Sequence, residues 1–254
     1  MDIILAGLLL SLFAGLSTAI GGALVFLIKD FKRCYLAFSL AFATGVMIII
    51  SFIELLPKGM ESFGYTGALI VFFVGAAVAF FIDYLVPHNY IMEKVSNDKD
   101  FNPQLFRVGL FVALGLAIHN FPEGFAVFAG NLQSIGLGIT IAIAIAIHNI
   151  PEGFAVSMPV YYATKNKRKA FLISFLSGIA EPIGAIIAAL VLLPFLSAQL
   201  IGASLAFVAG IMVYICIDEL LPAAYACTDG KHHLMTFAFL LGSAVMGITL
   251  IFLP

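Results

Sequence analysis

Two closely similar nine-residue segments hold residues that could bind a metal ion. The first begins at His119 and reads HNFPEGFAV, and the second begins at His148 and reads HNIPEGFAV. Residues four apart lie on one face of an α-helix, so each segment places a glutamate, Glu123 or Glu152, beside its histidine. Imidazole nitrogen together with carboxylate oxygen suits divalent metals such as zinc, iron, cobalt or nickel. Sodium or calcium would favour a site built from oxygens alone.

The composition of the chain places both segments in a membrane. Of its 254 residues, 63% are hydrophobic and only 10% are charged, and the mean hydropathy is +1.14. A soluble domain needs far more charge to cover its surface, so an integral membrane protein is predicted. With a net charge of −2 and no basic stripe, nucleic acid is not an expected partner. The three cysteines form no CxxC pair, which argues against a zinc knuckle or a disulfide framework.

Long apolar stretches predict eight transmembrane helices. A helix needs about 20 apolar residues to cross a bilayer. Stretches of this length favour an all-α fold over a membrane barrel, whose strands have about ten residues that alternate in polarity. The expected spans, all within one transmembrane domain of residues 1–254, cover residues 3–28, 34–57, 66–86, 105–128, 135–163, 170–194, 200–223 and 233–253.

The positions of lysine and arginine predict how the chain is oriented. Eleven of the twelve basic residues follow spans 1, 3, 5 and 7, and Lys58 alone lies on the opposite side. Since the cytoplasmic loops of membrane proteins carry an excess of Lys and Arg, these connections are expected to be cytoplasmic. Both chain termini would then be extracytoplasmic. The longest connection, residues 87–104, is predicted to be a cytoplasmic loop between spans 3 and 4.

Three glutamates are predicted to lie in the middle of the membrane without a basic partner. Glu123, Glu152 and Glu181 fall on spans 4, 5 and 6, and no lysine or arginine occupies the middle of any span. A charged residue at this depth costs on the order of 3 kcal/mol on insertion scales, so it is by default a functional candidate. Three buried carboxylates without a cation from the protein require a cation from outside.

The polar residues of spans 4 to 6 could form two neighbouring metal sites. The two His–Glu pairs could enclose one ion, while Asn120, Asn149 and Glu181 could complete a second, harder site that shares both glutamates. Met47 of span 2 could add a thioether, although a methionine in the core is the simpler interpretation. The proline in each segment removes a backbone donor, and kinked helices with freed backbone polar groups at mid-membrane are typical of transporter binding sites.

A second repeat links the ends of spans 2 and 7. Residues 52–57 read FIELLP and residues 217–222 read IDELLP, on spans that run in opposite directions. Spans 4 and 5 are likewise antiparallel copies, so an inverted repeat is predicted in which spans 1–3 correspond to spans 6–8 around a central pair. Glu54 would then lie at the entrance of a transport path, and Asp218 and Glu219 at its exit. The alternative is that these acids only mark helix ends near water.

The chain resembles a known family of metal transporters. The paired HNxPEG segments, Ala180-Glu181-Pro182 on span 6 and the DELLP that begins at Asp218 are similar to motifs of the ZIP (ZRT/IRT-like) family, and most of all to its bacterial zinc-uptake type. The resemblance covers essentially the whole chain. It implies eight helices with both termini outside, and uptake of zinc, often with iron, manganese, cobalt or cadmium, into the cytoplasm. It also implies an elevator-type carrier that tends to form a homodimer.

The resemblance further implies which residues bind the two ions. The transported metal is the substrate, and no separate cofactor is expected. Many relatives carry a His-rich loop between spans 3 and 4, but here that loop holds only His88, which does not support a metal-collecting role for it. The implied ligands of the first ion are His119, Glu123, His148, Glu152 and Met47, and those of the second ion are Asn120, Glu123, Asn149, Glu152 and Glu181.

Two other functions are compatible with parts of this pattern. The same glutamates could titrate in a proton-coupled metal/proton antiporter or an exporter, because the sequence fixes neither direction nor energy source. A membrane di-metal enzyme would favour a Glu-x-x-His order, whereas this chain has the order His-x-x-x-Glu. The chain also lacks the His-Glu-x-x-His motif of zinc proteases. A non-enzymatic transporter in the lipid bilayer of the cell membrane is therefore predicted.

Overall fold

The computed structural model describes residues 2–28, 32–85, 102–192, 197–228, 230 and 232–252. The predicted loop 87–104, with its His88, therefore lies almost entirely outside the described residues. Its last residues correct the prediction, because a helix already begins at Pro103. The side-chain oxygen of Asn102 caps this helix by accepting a hydrogen bond from the Leu105 amide at 3.1 Å.

Eight helices in the described part of the chain are long and apolar enough to cross a membrane. The same residues contain no β-strand, so the predicted all-α architecture with eight spans is confirmed. We call the end of the bundle where span 1 begins the terminal face, and the opposite end the basic face. Spans 1 to 8 are Ile3–Leu27, Arg33–Phe63, Tyr65–Tyr84, Leu105–Leu132, Ile135–Thr164, Lys167–Leu190, Ala198–Ala226 and His232–Ile251.

Spans 2 and 7 share an irregularity next to their prolines. Span 2 passes through a π-helical segment at Ser51–Leu55, and span 7 through one at Cys216–Leu220, just before Pro57 and Pro222. A proline has no amide hydrogen and its ring clashes with the carbonyl four residues earlier, so a wider turn before it lets the helix continue. Span 2 consequently extends to Phe63 instead of ending where the sequence predicts.

The prolines of the two repeated segments lie inside continuous helices, and the kinks expected at them stay a prediction. Pro122 lies within the continuous helix Pro103–Gln133, and Pro151 lies within Ile135–Thr164. A break occurs in span 6, at Ile179, three residues before a proline. Spans 4 and 5 therefore present their polar residues on unbroken helices.

The helix contacts follow the predicted inverted repeat. Span 1 packs against span 5 as span 6 packs against span 4, and span 2 packs against span 8 as span 7 packs against span 3. In the repeat, spans 1, 2 and 3 correspond to spans 6, 7 and 8, and span 4 corresponds to span 5. This correspondence turns each of these helix pairs into the other pair with which it is compared. The closest contacts divide the helices into two groups: spans 1, 4, 5 and 6, which we call the motif group, and spans 2, 3, 7 and 8, the flanking group.

Each of these four helix pairs meets at two reciprocal glycines. A Cβ on Gly45 would lie 2.1 Å from the carbonyl oxygen of Phe239, and a Cβ on Gly242 would lie 2.0 Å from that of Phe42. Any side chain there would push the helices apart, and small residues are what lets membrane helices approach so closely. The other junctions pair Gly21 with Gly153, Gly75 with Gly210, and Gly124 with Gly184.

We expect Gly242→Ala to destabilise the protein far more than Gly247→Ala on the same span. The new methyl group at Gly242 meets the backbone of Phe42, whereas nothing lies within 4 Å of a Cβ at Gly247. Overpacking typically costs about 1–3 kcal/mol, while alanine at an open helical position is better than glycine by about 1 kcal/mol. The midpoint of thermal unfolding in detergent measures the difference. Equal midpoints would contradict the junction.

Candidate metal centre

The two repeated segments lie side by side at the centre of the motif group. Spans 4 and 5 pack against each other, and spans 6 and 1 cover them. This close cover depends on Gly124 and Gly153, which admit the backbone oxygens of Glu181 and Thr18. The seven side chains on spans 4 to 6 that are predicted to bind metal are all buried, with at most 2% of their surface exposed: His119, Asn120, Glu123, His148, Asn149, Glu152 and Glu181.

The histidines and the two repeated glutamates converge on one point. Glu123 Oε1 lies 3.1 Å from His119 Nε2 and 2.9 Å from His148 Nε2. Glu152 Oε1 lies 3.6 Å from His119 Nε2. One ligand atom each from His119, His148 and Glu152 lies within 4.8 Å of the others, so small side-chain rotations would bring them around a single ion.

The asparagines and Glu181 form an oxygen-rich cluster beside this point. Asn149 Nδ2 donates to Glu181 Oε2 at 2.9 Å and to the carbonyl oxygen of Ala14 at 3.2 Å. Asn120 Nδ2 donates to the carbonyl oxygen of Ser177 at 3.3 Å. Because both amide nitrogens bond to neighbouring spans, the Oδ1 atom of each asparagine remains for another partner.

Most oxygens of this centre have no hydrogen-bond donor. Glu123 Oε2, both carboxylate oxygens of Glu152, Glu181 Oε1 and both asparagine Oδ1 atoms are buried without a hydrogen-bond partner. Burying a polar group without a partner is costly, and burying an unpaired charge costs more. Since no lysine or arginine lies in the middle of any span, a bound cation is a partner that would suit these oxygens.

Met47 lies in the hydrophobic core, and its contact with a metal stays a prediction. Its side chain is fully buried, and its carbonyl oxygen accepts a hydrogen bond from Ser51 Oγ at 2.7 Å. Ile50, one turn further along span 2, lines the same cavity as Glu123 and His148. This face of span 2 is therefore directed towards the centre.

A cavity of about 530 Å³ extends from the terminal face to the centre. Glu123 and His148 line its inner end, and Glu54, Lys58 and Glu61 line it near the terminal face. Glu54 forms an ion pair with Lys58, four residues further along the same helix. The predicted entrance residue thus lines an open route towards the buried ligands.

Lys58 and Glu61 are cavity residues that the sequence does not identify. The sequence predicts that span 2 ends at residue 57, which would place both residues in a loop. On the extended helix they follow Glu54 by four and seven residues, so all three share one face. That spacing is the signal that could have marked them.

The predicted exit acids meet a third acid and an arginine at the basic face. Asp83, Asp218 and Glu219 each have a carboxylate oxygen within 4.8 Å of those of the other two. Arg107 of span 4 forms an ion pair with Asp83, and its Nη2 lies 3.9 Å from Glu219 Oε1. Tyr214 donates its hydroxyl hydrogen to Asp83 Oδ2 at 3.3 Å. The void beside Glu219 has about 20 Å³, far less than the cavity at the terminal face.

Arg107 is a third residue whose position the sequence alone does not reveal. The sequence counts it only among the basic residues that orient the chain. In the structure it joins span 4 of the motif group to spans 3 and 7 of the flanking group. An arginine in the first turn of a membrane span is the signal that could have marked it.

Comparison with known proteins assigns the chain to a family. The family model described as ZIP Zinc transporter matches residues 92–250. The chain belongs to the ZIP zinc transporter family. The Zinc transporter ZupT of Oceanobacillus iheyensis is 45% identical over 269 residues, covering 100% of both chains. The Zinc transporter ZupT of Chlorobium phaeovibrioides is 47% identical, also over 100% of both, and that of Campylobacter jejuni is 43% identical over 97% of this chain and 96% of its own.

Membership of the ZIP family confirms the resemblance seen in the sequence motifs. It agrees with the eight apolar helices, which make the chain a multi-pass membrane protein. It also agrees with the chemistry of the centre, because a transporter of metal ions needs ligands that lie within the membrane. The orientation of the termini stays a prediction from the basic residues.

We expect Glu152→Gln to leave the metal-free protein at least as stable as the wild type and to abolish its stabilisation by zinc. The change removes a buried charge whose oxygens have no hydrogen-bond partner. A ligand that binds only the folded state raises the unfolding temperature, and the altered centre should lose that increase. Thermal unfolding in EDTA and in zinc measures both effects. The control is Glu61→Gln, an exposed acid of the cavity; equal zinc-induced shifts would contradict the centre.

We also expect Asp83 and Arg107 to be coupled in stability. Their side chains are 15% and 24% exposed, so removing one partner leaves a partly buried charge unpaired. Asp83→Asn and Arg107→Gln should each lower the unfolding midpoint, and the double variant should lose less than the sum of both. Additive losses would contradict the ion pair. The more exposed pair of Glu54 and Lys58 should show weaker coupling in the same experiment.

Proposed function

We propose that this chain carries zinc and related divalent metal ions across the membrane, from the terminal face to the basic face. The observation that carries the proposal is the set of buried, unpartnered carboxylates at the inner end of an open cavity. A polar cluster that served only to hold helices together would satisfy its oxygens with donors from the protein. The proposed activity is transport without a catalytic step.

Zinc is the proposed principal substrate. Relatives with 43% to 47% identity over nearly the whole chain are named zinc transporters. Two imidazoles with two carboxylates are also ligands that zinc favours. The same donor types suit iron, manganese, cobalt and cadmium, so we infer that these ions are further substrates.

We infer two ion positions that share the repeated glutamates. Glu123 Oε1 faces both histidine nitrogens, while its Oε2 has no hydrogen-bond partner and can turn to a second ion. Glu181 and the asparagines offer oxygens alone, which favours a harder ion at that position. Glu152 would be the second carboxylate that bridges the two ions. Three carboxylates would then lie between or beside the two divalent ions and reduce the repulsion between them.

The basic residues support an orientation of the chain, and we propose a direction of transport on that basis. Their excess at one face marks that face as cytoplasmic, so the cavity at the terminal face would open to the outside. Ions would then pass Glu54 on the way in and leave past Asp218 and Glu219. We therefore infer uptake into the cytoplasm by a protein of the cell membrane with extracytoplasmic termini.

The two helix groups are the parts that we propose to move. The centre lies in the motif group, whose helices are held together by the reciprocal glycine junctions. The ion pairs of Arg107 with Asp83 and Glu219 connect this group to the flanking group. Movement of the motif group as a unit would open the basic face, as in elevator-type carriers, and would break these ion pairs. The homodimer stays a prediction from the resemblance.

Purified protein in liposomes tests the proposed function. We expect external zinc or cadmium to enter and be reported by a metal-sensitive dye inside. Glu152→Ala should abolish this flux, because the centre loses a bridging carboxylate. Glu181→Gln should change the selectivity among metals more than the zinc flux, since the first ion keeps its imidazole ligands. Glu61→Gln, which leaves the centre intact, is the control.

The same measurements separate the alternatives. Unchanged flux in Glu152→Ala would overturn the assigned centre, and an equal loss for all metals in Glu181→Gln would contradict two distinct ions. Flux that follows the metal gradient alone would indicate facilitated diffusion. Flux that an imposed pH gradient drives would instead indicate metal/proton exchange.

A further inference from the structure

The inverted repeat pairs Glu181, the acid of span 6, with Thr18 of span 1. A Cβ on Gly124 would lie 2.0 Å from the carbonyl oxygen of Glu181, and a Cβ on Gly153 would lie 1.9 Å from that of Thr18. Gly124 and Gly153 are equivalent residues of the two repeated segments. Glu181 and Thr18 therefore occupy equivalent positions against equivalent helices.

Two hydrogen bonds support the same register. Asn149 donates to the carbonyl oxygen of Ala14 at 3.2 Å, and Asn120 donates to that of Ser177 at 3.3 Å. The two asparagines are equivalent residues of the repeated segments. Ala14 lies four residues before Thr18, and Ser177 lies four residues before Glu181. The correspondence between spans 1 and 6 thus extends over more than one turn.

The Thr18 hydroxyl is buried without a partner. Its Oγ1 atom would lie 3.2 Å from a Cβ on Gly178 of span 6. Since Glu181 Oε2 bonds to Asn149 Nδ2 at 2.9 Å, the repeat leads us to expect the Thr18 side chain on the side of the centre where Asn120 lies. Thr18 is fully buried, and neither its Oγ1 atom nor Asn120 Oδ1 has a hydrogen-bond partner. The residues that the repeat makes equivalent to Glu181 and Asn149 therefore carry two buried oxygens without a hydrogen-bond partner.

Several other threonines of the described residues satisfy their hydroxyls within the helix. Thr44 and Thr164 each donate to the carbonyl oxygen four residues earlier, at 2.7 Å in both cases. This bond is common in apolar surroundings, because that oxygen is within easy reach. Thr18 does not make it. The corresponding oxygen, on Ala14, accepts from Ser17 Oγ at 2.6 Å and from Asn149 Nδ2 at 3.2 Å instead.

We propose that the Thr18 hydroxyl oxygen is a ligand of the second metal ion, opposite Glu181. This assignment rests on the two-ion centre proposed above. A hydroxyl oxygen is a neutral ligand that can complete an oxygen shell around a hard cation. In place of a fourth carboxylate it leaves three acids around two divalent ions, so the ions are held less firmly. Transport requires binding that is strong enough to capture an ion and weak enough to release it.

Metal binding to the purified, metal-free, full-length protein tests this assignment. In calorimetric titrations, Thr18→Val, which removes the oxygen but keeps the shape, should bind Mn²⁺ severalfold more weakly at the second position and the first Cd²⁺ as the wild type does. Thr18→Ser keeps the hydroxyl and should bind like the wild type. Ser11→Ala is the matched control, because Ser11 is a buried, unpartnered hydroxyl seven residues earlier on the same helix face.

Unchanged Mn²⁺ affinity in Thr18→Val would overturn the assignment. The assignment would also be overturned if Thr18→Val bound metals as the wild type does and only unfolded at a higher temperature in EDTA. The hydroxyl would then be a buried polar group that contacts no metal. Failure of the proposed function would look different: the wild type would bind fewer than two ions, or Glu181→Gln would bind as the wild type does. If the valine variant does not fold, Thr18→Ala also removes the hydroxyl, and its Mn²⁺ affinity at the second position tests the same assignment.

Discussion

The protein is organised around three carboxyl groups that are buried in the membrane, with no lysine or arginine in the middle of any span to balance them. Glu123, Glu152 and Glu181 lie on three spans of one helix group, and most of their oxygens have no donor. In an apolar medium such carboxylates are costly unless a cation accompanies them. The two imidazoles beside them add the nitrogen ligands that favour zinc-like ions over calcium or sodium. The cost of the centre and its selectivity therefore have the same origin.

Holding these carboxyl groups in place requires helices that approach one another unusually closely. Membrane helices gain little hydrophobic energy from association, so close backbone packing must supply the attraction. Two of the four glycine junctions lie directly beside the centre, where Gly124 and Gly153 receive the backbones of Glu181 and Thr18. The contacts that hold the motif group together thus also set the distances between potential ligands. Bulk added at either glycine would displace ligands as well as loosen the packing.

Much of this could be predicted from the sequence, because a membrane leaves a chain few alternatives. Eight apolar stretches had to be helices, and a His and a Glu four residues apart had to share a helix face. What could not be predicted depends on contacts between distant parts of the chain. The wide turn before Pro57 extends span 2 and brings Lys58 to the cavity. The pairing of Arg107 with Asp83 joins two spans, and the role inferred for Thr18 emerges only once the repeat is matched in three dimensions.

The repeat also allows equivalent residues at the two faces to be compared within the described part of the chain. Glu54 and Glu219 are equivalent residues, yet Glu54 lines the cavity while Glu219 is 8% exposed beside Arg107. Two equal halves alone would make the two faces equal in energy, so the bias must come from a difference between them. Lys58 shares a helix with Glu54 and cannot tie the helix groups together, whereas Arg107 joins the groups at the basic face. In the direction of transport proposed above, opening that face would release Asp83 and Glu219 from the arginine when a departing ion would need carboxylates along its path. The same acids would then hold the face closed before transport and receive the metal during it.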